Sequence, residues 1–321
     1  GFFRQVEVLF HRNLLNFRRN KLLTVTRLVQ TVLATVFISW IYSQMGPNMA
    51  GVQARFFGCF QLAFANFLFA MLGVVNTFPA ERAVFLREAQ DRWYSPAAFY
   101  LAKVVLDSLT QCFFPLVATA IGYPIMGLNF QSVDRIVWFY AFLALLSNVG
   151  AAVGFVVSAL VPSVNAALSI TPGLVMPQLI LCGLFIKVDL LPQPFRAISY
   201  VVVVRYALQG VFTNEFVCDT RPECVPEVFR TVSGDACALS PCDFCCDEHE
   251  VAASAGVCPI LTCDDALRSL SMDGDAIWPS ADTNSGTVAL NALVLLTLLV
   301  FFRLVGMVAL VAAYRRASKR G

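Results

Sequence analysis

The residues best equipped for chemistry are eight cysteines in one 46-residue stretch: Cys218, Cys224, Cys237, Cys242, Cys245, Cys246, Cys258 and Cys263. Inside it, Cys242-x-x-Cys245-Cys246-x-x-His249 has the spacing of zinc ligands. A dense, even set of cysteines in an oxidising compartment pairs as disulfides instead. That reading is favoured here, with connectivity left open and no metal site expected. Cys59, Cys112 and Cys182 fall in apolar runs, where a thiol behaves as a small hydrophobe. Asp107 and Arg303 also fall in apolar runs, and ionisable groups there need partners. An ion pair between them is one reading; separate snorkelling to water is the other. No G-x-x-x-x-G-K-[ST], G-x-S-x-G or H-E-x-x-H occurs, so the chain is expected to carry no catalytic site and to bind no cofactor by itself.

These residues are set in an unusual background. The chain is 58% hydrophobic and 14% charged, with a mean hydropathy of +0.70. Soluble domains average about 25% charged residues, and disordered chains have the opposite bias. Both are excluded, and the composition predicts an all-α membrane protein. Six stretches reach the length of about 20 apolar residues that a spanning helix needs: Leu28–Met45, Phe56–Phe78, Phe99–Met126, Ile136–Leu160, Ala166–Ile186 and Val288–Ala313. Residues 1–27 mix basic and apolar side chains and predict an amphipathic helix near the membrane surface. Val201–Val204 is apolar but too short to span, and reads as a re-entrant or interfacial segment.

Charge sets the orientation. Arg4, Arg12, Arg18, Arg19, Lys21 and Arg27 precede the first span, Arg82, Arg87 and Arg92 follow the second, and Arg315, Arg316, Lys319 and Arg320 follow the sixth. Counting spans places all of them on one face, which the positive-inside rule makes cytoplasmic, with both termini. The opposite face receives Lys187–Gly286, which carries 15 acidic against 6 basic residues and all eight clustered cysteines. The organisation predicted is 1–27 as the amphipathic helix, 28–186 as spans one to five with a cytoplasmic loop at 79–98, 187–286 as the external re-entrant and disulfide-rich segment, and 287–321 as span six and a basic tail. A multi-span chain with no catalytic constellation is a transporter, channel or receptor.

More specific motifs decide among these. Glu81-Arg82-Ala83-Val84-Phe85-Leu86-Arg87-Glu88, followed by Tyr94-Ser95 and Tyr100-x-x-Lys103, resembles the signature of the G subfamily of ABC transporters, the White, sterol and multidrug half-transporters. Tyr123-Pro124-Ile125-Met126-Gly127-Leu128, Gly183-Leu184-Phe185-Ile186, Arg205-Tyr206 with Gly210, and Asn214-Glu215-Phe216 resemble further stretches of that subfamily in the same order. The resemblance runs from about Arg12 to Arg316.

It implies the ABC-2 type permease domain of an ATP-driven exporter for lipid, sterol or amphipathic xenobiotic cargo. It also implies a nucleotide-binding domain, in the same or a separate chain, that binds ATP and Mg2+, and a second membrane domain, as homo- or heterodimer. The expectation is a piece of a longer protein in the plasma membrane, its partners being the bilayer and these domains and not nucleic acid. By the same resemblance, Asn66, Phe69, Met176 and Leu179 line the cargo cavity, and Leu184 and Phe185 form an apolar gate on the external side. Glu81, Arg82, Arg87 and Glu88, braced by Arg12 and Arg18, meet the ATPase. The competing readings are a receptor or scaffold whose cysteine-rich loop binds an external partner, and a permease served by a separate ATPase.

Overall fold

The computed structural model describes residues 1–43, 49–91, 93–128, 130, 132–161, 163–183, 192–215 and 284–318. The eight clustered cysteines, Leu184, Phe185 and Arg92 lie outside the described residues. All regular structure among the described residues is α-helical: α1 (Phe2–Arg19), α2 (Lys21–Ile41), α3 (Met49–Gln90), α4 (Pro96–Ile125), α5 (Val133–Leu160), α6 (Val164–Ile180), α7 (Gln193–Ser199), α8 (Val203–Glu215) and α9 (Asn284–Ser318). Five of these contain stretches long and apolar enough to cross a membrane: Thr24–Ile41, Ala54–Gln90, Pro96–Ile125, Val133–Leu160 and Val288–Ser318. The expected fifth span appears as α6, apolar but only 17 residues long. In the region read as re-entrant, α7 and α8 meet at 67°.

Two boundaries differ from the sequence expectation. The segment 1–27 is not one helix. Asn20 leaves helical geometry (φ −87°, ψ 59°), and α2 begins at Lys21, so Arg27 belongs to the first spanning helix. Likewise 79–98 is mostly not a loop. Helix α3 runs through Pro79 to Gln90 because its buried stripe does not stop at the membrane: Val74, Phe78, Phe85 and Ala89 recur at helical spacing and all are buried. Packing of that stripe outweighs the hydrogen bond that Pro79 cannot donate. The turn to α4 then needs few residues. Ser95 caps α4, its Oγ accepting from Ala98 N at 3.2 Å, and Pro96 occupies the first turn where no backbone donor is required.

Helices α3 and α5 form the centre of the bundle. Lipid tails are as apolar as leucine, so close van der Waals approach has to drive helix association in a membrane. Gly150 and Gly154, a G-x-x-x-G pair, permit it: a Cβ at either position would lie 2.6 Å from Phe67 O or 2.8 Å from Met71 O. Gly210 of α8 admits the Phe142 ring in the same way. Two buried clusters result. One gathers Phe56, Tyr123, Phe139 and Phe212, and the other, at the α1 end, gathers Leu9, Phe78, Phe85, Phe99 and Leu310. Large apolar side chains such as Phe37, Trp40 and Val308 are exposed on the outer faces of α2 and α9, as a bilayer requires.

Candidate functional site

The charged signature at the end of α3 divides into residues that are engaged and residues that are presented. Glu88 Oε2 accepts from Arg12 Nη1 of α1 at 2.8 Å and from the Tyr94 hydroxyl. Burial, reinforced by the bond to Glu88, pushes the Tyr94 phenol up to about 12, so it remains a donor at neutral pH. Its ring stacks on Phe99, which stacks on Phe85 at 4.6 Å. Glu81 accepts from Lys103 of α4 at 2.7 Å. Arg82 donates to Val161 O at 2.9 Å, satisfying a carbonyl at the C-terminal end of α5. Ser95 N donates to Gln5 Oε1 of α1. Arg87 and Arg18, by contrast, are exposed. The six residues expected to meet an ATPase are therefore split. Glu81, Arg82, Glu88 and Arg12 fasten α3 to α1, α4 and α5, while Arg87 and Arg18 face outward.

A second polar chain runs inside the bundle. Arg303 Nη2 of α9 lies 3.5 Å from Asp107 Oδ2 and 3.4 Å from Ser108 Oγ, and its guanidinium carbon is 5.3 Å from the centre of the Phe155 ring. Asp107 Oδ1 accepts from Gln111 Nε2 at 3.5 Å. Gln111 Oε1 in turn accepts from Arg27 Nη2 and from Ser147 Oγ. The Arg27 guanidinium sits 4.2 Å above the Phe114 ring. Helices α2, α4 and α5 thus meet at one amide, Asp107 links α9 to them, and the carboxylate lies in the field of both Arg303 and Arg27. The sequence reading named Asp107 and Arg303 but missed Gln111 and Arg27. Gln111 carries a legible signal, an amide one turn after an acid within an apolar span, whereas Arg27 was absorbed into the basic flank.

Between the two chains lies a cavity of about 680 Å³ walled by α1, α2, α3 and α4, with Arg12, Arg27, Phe69, Lys103 and Asp107 on its surface. Phe69 thus faces a cavity. Asn66 is not part of its wall; it is buried, with Nδ2 donating to Leu62 O of its own helix. The structure does not bring these two residues to one cavity, because a three-residue step turns the helix by about 60° from alignment. Met176 is exposed on α6 and Leu179 is partly buried against the core.

A bundle of apolar helices with charges gathered at one end and one chain of ionisable groups inside has the build of a membrane transport domain. Residues 4–216 match the family described as ABC-2 type transporter, and the chain belongs to that family. It is 29% identical over 241 residues to Protein white of Ceratitis capitata, covering 75% of this chain and 35% of that protein. It is 30% identical over 217 residues to ABC transporter G family member 7 of Arabidopsis thaliana, covering 67% and 30%. It is 31% identical over 223 residues to ATP-binding cassette sub-family G member 5 of Rattus norvegicus, covering 67% and 33%. The chain spans about a third of the length of these relatives.

Proposed function

We propose that the chain is the permease domain of an ATP-driven exporter that moves lipid, sterol or amphipathic xenobiotic cargo out of the cytoplasmic leaflet of the plasma membrane. Both termini are cytoplasmic in this reading. A nucleotide-binding domain, in the same or a separate chain, binds ATP and Mg2+, and a second membrane domain, identical or not, completes the cargo path. The observation that carries the reading is the unbroken run of α3 from Phe69, on a cavity wall, to the exposed Arg87. Eighteen residues of helix separate them, about 27 Å. A push at the outer end reaches the membrane-spanning stretch of α3, and through it the cargo path between the two membrane domains, with no loop to absorb it. Arg87 and Arg18 are free to meet an acidic surface on the ATPase, while the pairs Arg12–Glu88 and Glu81–Lys103 hold the lever against α1 and α4. The exposed apolar side of α6, with Met176 and Ile180 one turn apart, supports a face for the second membrane domain, with cargo between the two. Leu184 and Phe185 are proposed as the gate beyond α6, and the clustered cysteines as disulfides in an external cap.

The test is Arg87→Glu in the full-length transporter reconstituted into liposomes, with ATP hydrolysis and cargo export measured together. Export should fall at least about tenfold, the effect of losing one charge-assisted contact at an interface, while the thermal midpoint stays unchanged. Export at the unaltered rate would remove the coupling role from this residue.

A further inference from the structure

We infer that the cavity between α1, α2, α3 and α4 holds the phosphate headgroup of an anionic lipid from the cytoplasmic leaflet, seated on Arg27. Of the cavity's cations, Arg12 is paired with Glu88 and Lys103 with Glu81. The remaining carboxylate on its wall, Asp107, is paired with Arg303 from α9. Arg27 makes no direct ion pair among the described residues; it contacts the Gln111 amide and the Phe114 ring and feels the charge of Asp107, which Arg303 already engages. Two arginines against one carboxylate leave a positive charge inside the bundle, and that marks a place where a ligand brings the negative charge.

Hydrogen bonding points the same way. Arg12 Nε, Asn13 Nδ2 and Arg27 Nε are buried without partners, and all three are donors. No acceptor of a cavity-lining residue is in that state among the described residues. All three are covered by protein and not open to the cavity, so they form a surplus of donors behind its wall, which an acceptor-rich anion such as a phosphate nearby offsets. Gly73 leaves room beside the guanidinium, since a Cβ there would stand 3.3 Å from Arg27 Nη1.

Depth and wall chemistry select a lipid over a free anion. Arg27 is about one helical turn inside the spanning stretch that opens at Thr24, which is headgroup level. The same cavity is lined by Phe69, Leu72, Phe78 and Phe114, a wall suited to the acyl chains and glycerol of an amphiphile. The lipid would be a resident of the fold and not the exported cargo. The inference rests on the reading that the α1 end faces the cytoplasm.

The test uses the full-length transporter in nanodiscs of phosphatidylcholine with or without phosphatidylserine. Phosphatidylserine retained after transfer to detergent is quantified by mass spectrometry, and its affinity is titrated. Phosphatidylserine should be enriched over phosphatidylcholine. Arg27→Gln should weaken it about tenfold or more, the loss of one charge-assisted hydrogen bond. Asn13→Asp, which keeps the volume and places a like charge at the wall, should weaken it in the same direction even if Arg27→Gln folds poorly. Arg4→Gln, on the exposed face of α1, should retain wild-type binding. Equal retention of phosphatidylcholine, full displacement by inorganic phosphate, or wild-type affinity in Asn13→Asp would each overturn the inference. Retention is read without ATP or cargo, so failure of the export reading leaves this measurement standing.

Discussion

The seam between α3 and α5 and the junction at the end of α3 solve opposite problems with the same helix. At the seam Phe67, Met71 and Ala151 are buried, and Gly150 and Gly154 bring backbone against backbone so that dispersion and shape hold the pair. At the junction the helix has left the apolar layer, and it is held by ion pairs at 2.7 and 2.8 Å whose side chains are between a fifth and two fifths exposed. Such pairs contribute about 0–1 kcal/mol each. They orient the helix end more than they stabilise it. Under the coupling role proposed above, this asymmetry would supply a tight seam to transmit motion and an adjustable, polar end to receive force.

The largest effect tests what happens when a charge inside the bundle loses its partner. Asp107→Ala leaves the Arg303 guanidinium, about a tenth exposed, without its carboxylate. Loss of one partner of a buried pair costs about 3–5 kcal/mol. The thermal midpoint of the detergent-solubilised protein should drop sharply, and Asp107→Leu combined with Arg303→Met should recover much of it. If the single variant melts like the wild type, the pair is solvated and the contrast with the junction disappears.

A smaller effect probes the seam itself. Gly150→Val forces a branched side chain into the Phe67 carbonyl and should cost about 1–3 kcal/mol through overpacking. Gly173→Ala supplies the internal control, since a Cβ there meets nothing within 4 Å and helix propensity alone predicts a slight gain. Equal melting of the two variants would show that close approach does not hold α3 to α5.

The smallest effect belongs to the junction. A double-mutant cycle on Arg12→Ala and Glu88→Ala should return a coupling of no more than about 1 kcal/mol, falling as salt is added. A coupling several times larger would make the junction a structural core and erase the comparison.

Much of the architecture was legible beforehand because the bilayer leaves the backbone little choice. A helix is the one open-ended way to satisfy every N–H and C=O in hydrocarbon, so apolar runs translate into helices, and five of the six expected spans appear at full length. The family was legible too, in Glu81-Arg82 through Lys103, where several motifs stand in order. What a linear pattern cannot supply is the neighbour. Phe78, Phe85 and Ala89 stand at helical spacing, yet 79–98 reads as a loop from its charges, and only packing against Phe99 and Leu9 decided that α3 continues through Pro79. Basic residues at the start of the chain were readable as an orientation signal, but nothing local separates Arg27 from Arg19. Its meeting with Gln111, 84 residues away, depends on how α2 lies against α4. Sequence by itself determined which segments must be helical, which end of the bundle collects charge and which family the chain belongs to, because solvent and covalent geometry act residue by residue. Tertiary structure alone decided which charges neutralise one another, which arginine is left over and where the cavity opens beside it, because those depend on distances between segments that the chain order does not encode.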